Sequence, residues 1–141
     1  MARFKDPNVP AAAFQPYLEP GEQLSHVAYG VKQPNVLLIA LTGGLITALL
    51  TKEYVIGMTD RRLIVLHFKG KDIRVQEVLD YRLNSGQRPP VKTSTGSVFT
   101  HIKVDDPAKP FVAKFHRMGM PGNREGAMAI AAALTGQPSA A

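Results

Sequence analysis

The sequence predicts a mainly β domain: a bent barrel of about seven short antiparallel strands with a C-terminal helix capping it. Three observations carry that expectation. Apolar residues alternate with polar ones in several runs between residues 23 and 119. Those runs are separated by tight turns, which makes an antiparallel meander the economical reading. Beyond residue 120 the spacing becomes helical in NREGAMAIAAALTG.

The elements follow in chain order. AAAFQPYLEPGE reads as a short helix stopping near Pro16 or Pro20, because proline cannot continue the hydrogen-bond ladder. Phe14, Tyr17 and Leu18 share one face of it and can staple this arm, residues 1–22, onto the core. In LSHVAYGV, Val27, Tyr29 and Val31 alternate with His26, Ala28 and Gly30, as in a half-buried strand. Tyr54, Ile56 and Met58 form the next alternation, Thr59–Arg62 turns the chain, and Leu63–Phe68 is a nearly continuous β-rich run. Lys69–Asp72 is a second turn in which Gly70 is free to take a positive φ. A strand then begins at Ile73 and Val75.

Asn84–Pro90 is a loop by composition. Val91–Thr95 and Val98–Val104 flank Gly96-Ser97, a two-residue hairpin turn. Asp105–Pro110 is a further loop, after which Phe111, Ala113 and Phe115 alternate with Val112, Lys114 and His116. In the closing helix, residues 120–136, Ala127, Ile130, Ala131 and Leu134 share a face. Asn123 is the expected N-cap and Gly136 the stop. Residues 137–141 read as a mobile tail, and the barrel itself spans 23–119.

Composition narrows the function. The chain has 141 residues, 45% apolar and 20% charged, an ordinary globular balance sufficient for one core. A net charge of +6 favours anionic surfaces without saying which. The absence of cysteine excludes disulfides, thiolate catalysis and zinc sites built on Cys. The opening MARFKDPNVP has no apolar core of a signal peptide, so the expected location is the cytoplasm, with the inner membrane face as its peripheral option.

One stretch does not fit a small closed barrel. VLLIALTGGLITALLT, Val36–Thr51, carries no charge over sixteen residues and divides into two halves around Gly43-Gly44. As one helix it would reach roughly 24 Å, short of a hydrocarbon core of about 30 Å. Three readings compete: a helix or helical hairpin buried in its own domain, a β-hairpin apolar on both faces, and a helix-turn-helix dipping into one leaflet. The Leu, Ile and Val side chains, at roughly 1.5–3 kcal/mol each, represent on the order of 15–30 kcal/mol before entropy is subtracted. A monomer would not leave that in water. The segment is therefore expected to make an oligomer or membrane contact through Leu37, Leu38, Ile39, Leu41, Leu45, Ile46, Leu49 and Leu50, with Gly43 and Gly44 setting its turn. Of the two, oligomerisation ranks first, because there is no Trp to anchor an interface.

LEPGEQL at 18–24, EYVIGMTDRRLIVL at 53–66 and the closing helix resemble bacterial pleckstrin-homology-like (PH-like) domains. The most specific piece is the Thr59-Asp60-Arg61-Arg62-Leu63 turn between two apolar strands. The resemblance covers roughly residues 18–136. It implies a strongly bent seven-stranded barrel with a C-terminal helix, ring-like homo-oligomers in several bacterial members, and no enzyme. Phosphoinositide-binding members place Lys and Arg on and after the first strand. Here Lys32 is followed by the apolar segment and the next cation is Lys52, so the inositol-phosphate site does not carry over. The helix tryptophan of eukaryotic members is also absent.

The remaining motifs are weak. His26, His67, His101 and His116 lie on separate strands, none paired at helical spacing and none in an HExxH arrangement, so no metal is expected. There is no GxSxG, P-loop or GxGxxG, and no cofactor is implied. Thr93, Ser94, Thr95, Ser97 and Lys92 form a hydroxyl-rich hairpin that turn chemistry explains as well as phosphate binding does. Asp60 is expected to accept backbone hydrogen bonds in its turn while Arg61 and Arg62 point outward. Nucleic acid ranks third among partners, because Tyr54, Phe68, Phe99 and Phe115 read as core rather than as a stacking platform.

The functional expectation is a non-enzymatic PH-like domain. It self-assembles through the apolar hairpin as a scaffold or membrane-associated assembly, with Lys32, Lys52, Arg61 and Arg62 toward an acidic lipid surface. The rival is a soluble peptide- or ligand-binding module using the cleft beside the C-terminal helix.

Overall fold

The computed structural model describes residues 2–33, 51–83 and 90–136. Seven antiparallel strands form one sheet: β1 (Leu24–Lys32), β2 (Lys52–Thr59), β3 (Arg62–Lys69), β4 (Arg74–Arg82), β5 (Val91–Thr95), β6 (Phe99–Val104) and β7 (Phe111–His116). Their order is β4-β3-β2-β1-β7-β6-β5, so the chain starts at the centre and runs outward in one meander, then returns from the far edge in another. A helix, α2 (Asn123–Thr135), closes the fold. The fold is thus mainly β with one C-terminal helix. This is the expected bent seven-stranded antiparallel sheet with its closing helix; among the described residues ladder pairing ends at β4 and β5.

The bend is visible in the main core. Side chains from both meanders and from α2 meet there, among them Ile56, Leu63, Val65, Ile102, Phe115 and Ile130, each almost fully buried. A flat sheet could not bring β3 and β6 to one cluster, since three strands (β2, β1 and β7) lie between them. Close packing at the centre depends on small residues. A Cβ on Gly126 of α2 would sit 2.4 Å from the Val27 carbonyl oxygen, and one on Gly30 would sit 2.5 Å from the Phe115 ring. The helix therefore lies directly against the β1 backbone, at a distance only glycine permits.

A second cluster lies on the opposite face of β1–β4. The N-terminal arm covers it, with Phe4 and Phe14 buried against Val55, Ile64, Leu66 and Phe68. This accounts for the continuous apolar run in β3, which is buried on both faces although the sheet is antiparallel. The arm differs in detail from the expected single helix: α1 (Asn8–Ala12) starts earlier, and a separate 3₁₀ turn spans Gln15–Tyr17. Phe14 still does the stapling.

Other local departures have simple causes. In β1 it is Ala28 and Gly30 that enter the main core, while Val27 and Tyr29 face the arm. The larger residues follow the cluster that has room for them. Ile73 takes φ +48° in the turn before β4, so that strand starts one residue later than expected. Gly96 N–H donates to the Phe99 carbonyl at 2.8 Å, which makes Ser97-Val98 the turn and moves the start of β6 to Phe99. Gly122, at φ +74°, is the N-cap of α2, and Gly136 ends the helix with φ +73°.

Asn123 has a different task from the capping expected of it. Its amide accepts from Tyr29 N–H at 2.7 Å and donates to the Tyr29 and His116 carbonyls at 2.9 and 2.7 Å. It thereby satisfies backbone groups of β1 and of the end of β7 at the point where those strands diverge.

Candidate functional site

Three places bear on function: the end of the β1–β2 hairpin, the Thr59–Leu63 turn, and the outer face of β5–β7. At the first, the β1–β2 ladder continues in register to Lys32↔Lys52, and Lys32, Gln33 and Lys52 are all exposed. Both ends of residues 33–51 therefore leave the sheet side by side, at a solvent-facing hairpin end. Residues 34–50, with the expected contact residues Leu37, Leu38, Ile39, Leu41, Gly43, Gly44, Leu45, Ile46, Leu49 and Leu50, lie outside the described residues.

At the second place the expectation of two outward arginines is corrected. Arg62 is 8% exposed and faces inward. Its Nε donates to Glu22 Oε2 at 2.9 Å, its Nη1 to Asp80 at 3.2 Å, and its Nη2 to the Tyr17 carbonyl at 2.6 Å. The Glu22 side chain has no exposed surface. The guanidinium holds the Glu22 carboxyl down at about 2, chiefly through this hydrogen bond, and the Thr59 hydroxyl and Glu19 N–H add to the effect. The desolvation of a buried carboxylate opposes the shift and is outweighed. Arg61 is half-buried and pairs with Glu19 at 3.5 Å and Asp60 at 3.5 Å, while its Nη2 donates to the Pro20 carbonyl. This turn is a clasp that fixes the arm to the sheet. Arg62 is thereby withdrawn from any lipid surface, and Arg61 is engaged with the arm.

The hydrogen bonding of the turn also falls on another residue than the one expected. Thr59 Oγ1, not the Asp60 carboxylate, accepts from the N–H groups of Arg61 and Arg62, at 3.1 and 3.0 Å. Asp60 accepts instead from Gln23 N–H at 3.1 Å.

The third place was not singled out in the sequence. Cross-strand partners share a face, so the register of β5, β6 and β7 places Lys92 beside Lys103 and Val112, then Ser94 beside His101 and Lys114, then Phe99 beside His116. Their neighbours Ile102, Val104, Ala113 and Phe115 fill the core, so these residues form the outer face. The signal was present in the alternation of FTHIKV and FVAKFH and in the lack of any carboxylate within β5, β6 or β7. Phe99, expected in the core, is half-buried on this face. Lys114 Nζ lies 4.8 Å from its ring centroid, and His116 packs edge-on at 5.0 Å.

Lys114 Nζ also donates to Gln33 Oε1 at 2.7 Å, linking this face to the hairpin end. A shallow hollow of about 280 Å³ lies between them, lined by Lys32, His101 and Lys114 with Val31 and Val112. The hydroxyls of the β5–β6 hairpin do not converge, because Ser94 lies on the outer face and Thr93 and Thr95 on the other. His26 and His67 lie apart from this face, on β1 and β3. Among the described residues no three His, Asp or Glu side chains are grouped to hold a metal. Beside the start of α2, a wider hollow of about 500 Å³ is bordered by Arg117, Met118, Arg124 and Glu125.

The fold and these surfaces define a mainly β domain with a closing helix and a segment inserted between its first two strands. No family model matches the chain, and no curated protein matches it. Among solved structures it is similar to the hSac2 domain from human phosphoinositide phosphatase Sac2, at 11% identity and a TM-score of 0.48. The match covers 90% of this chain and 77% of that one. At that level the likeness has no bearing on function. No helix among the described residues is long and apolar enough to cross a membrane.

Proposed function

We propose that this protein is a non-enzymatic assembly domain that self-associates through residues 36–51 and serves as a scaffold. The single observation that supports the reading is the place of the insertion. An uncharged sixteen-residue segment is inserted in the sequence between Lys32 and Lys52, two exposed residues paired across the end of a hairpin. An apolar segment of this size needs cover, and its apolar area is far beyond what single exposed apolar residues represent. Copies of the same segment are the nearest complementary cover, and identical segments pack against one another without a new partner having to be specified.

The assignment is tested in the intact chain by size-exclusion chromatography with light scattering. Leu41→Asp and Ile46→Asp each place a charge in the apolar segment and change no residue of the seven strands. A defined oligomer that both substitutions dissociate supports self-association. An oligomer indifferent to both would move the contact elsewhere.

A further inference from the structure

We infer that the outer face of β5–β7, carrying Lys92, His101, Lys103 and Lys114, docks on an anionic membrane through charge rather than through recognition of a particular headgroup. The two faces of the sheet are treated unequally. On β1–β4 the side away from the main core is covered by the arm, and its charges are neutralised by Arg3–Glu53, Arg62–Glu22 and Arg82–Glu19 pairs. On β5–β7 the corresponding side carries three lysines and two histidines, and its nearest carboxylate is Asp105, 3.5 Å from Lys103 at the end of β6. Lys92 stands directly across from Lys103, a like-charged pair of which Asp105 offsets only one member.

Charge complementarity names an anionic partner, and two further observations select a membrane. Val112, 38% exposed, stands in the first lysine row. Val98, 37% exposed, lies in the turn that joins β5 to β6. Apolar side chains among cations suit the boundary between headgroups and acyl chains. A single-stranded nucleic acid would instead need a free aromatic face, and the ring on this surface, Phe99, is occupied by Lys114 and His116. The face also adjoins the hairpin end through the Lys114–Gln33 hydrogen bond, so a molecule lying on it brings Lys32 to the same surface. The inference adds a second surface to the self-association above and does not depend on it.

The test is vesicle flotation of the full chain on phosphatidylcholine alone and on phosphatidylcholine mixed with phosphatidylserine, at low and high salt. The wild type is expected to float with the anionic vesicles at low salt and to be released at high salt. Lys103→Glu with Lys114→Glu should weaken that binding by about tenfold or more. Lys69→Glu with Lys71→Glu, exposed lysines at the β3–β4 turn, changes the net charge equally and should leave it nearly intact. If the first pair disturbs the fold by circular dichroism, Lys92→Glu with Lys103→Glu gives the same reading. Absence of flotation on anionic vesicles would overturn the inference. So would equal binding to neutral ones, equal loss in both reversal pairs, or displacement from the vesicles by a single-stranded oligonucleotide. Oligomer size by light scattering, read on the same variants, separates failure here from failure of self-association.

Discussion

At the scale of single residues, Glu22 and Arg62 show how a motif that looks superficial became interior. Each charge would be costly to bury alone, and each is satisfied by the other and by neighbouring polar groups. Glu22→Gln leaves the guanidinium without its closest counter-charge and should cost about 3 kcal/mol at neutral pH. The folded-state value of Glu22, about 2, lies below its ordinary 4.5. The stabilisation is therefore complete above about pH 4.5 and is lost as pH falls toward 2. Thermal unfolding from pH 7 to pH 2 should show a steeper acid decline in wild type than in Glu22→Gln. The same decline in both would mean that other carboxylates control it. Thr100 offers the opposite case. It is 1% exposed, and among the described residues its hydroxyl has no hydrogen-bond partner. Thr100→Val should therefore raise stability by about 1 kcal/mol, seen as a higher midpoint in urea; a lower midpoint would reveal a partner for the hydroxyl.

At the scale of elements, α2 and β1 are coupled by glycine. In an exposed helix Gly→Ala gains about 1 kcal/mol from propensity. Gly126→Ala should do the reverse, with a net loss of about 2 kcal/mol, because the new methyl group meets the Val27 carbonyl and the helix must back away from the core. Chemical denaturation decides the sign, and a gain would mean that α2 sits further from β1. This coupling explains what was legible in the sequence and what was not. Strand periodicity located the seven strands and Gly136 marked the end of the helix, since both are properties of adjacent residues. Which face of β1 met which cluster was hidden, because Ala28 and Gly30 are inward for reasons that lie in Phe115 and Gly126. The inward turn of Arg62 was hidden likewise: its partners are Glu22, forty residues before it, and Asp80 on the next strand. The cationic outer face is a property of register between β5, β6 and β7, and no single strand displays it.

At the scale of the whole molecule, the described residues form a folded sheet and helix with the N-terminal arm tied down by Phe4, Phe14 and the Arg62 clasp. The β1–β2 ladder that flanks the inserted segment is paired to its end at Lys32 and Lys52. The proposal predicts that assembly and stability can be altered separately. Leu41→Asp should change the oligomer while leaving the unfolding cooperative, whereas Gly126→Ala should lower stability while leaving the oligomer in place. The measurement that bears most directly on self-association is the molar mass of the wild-type chain by light scattering across a concentration series, beside that of Leu41→Asp. The proposal predicts a defined multiple of the chain mass for the wild type and a shift toward the single-chain mass for the variant. A wild-type protein that remains one chain at every concentration, with its apolar segment intact, would contradict it.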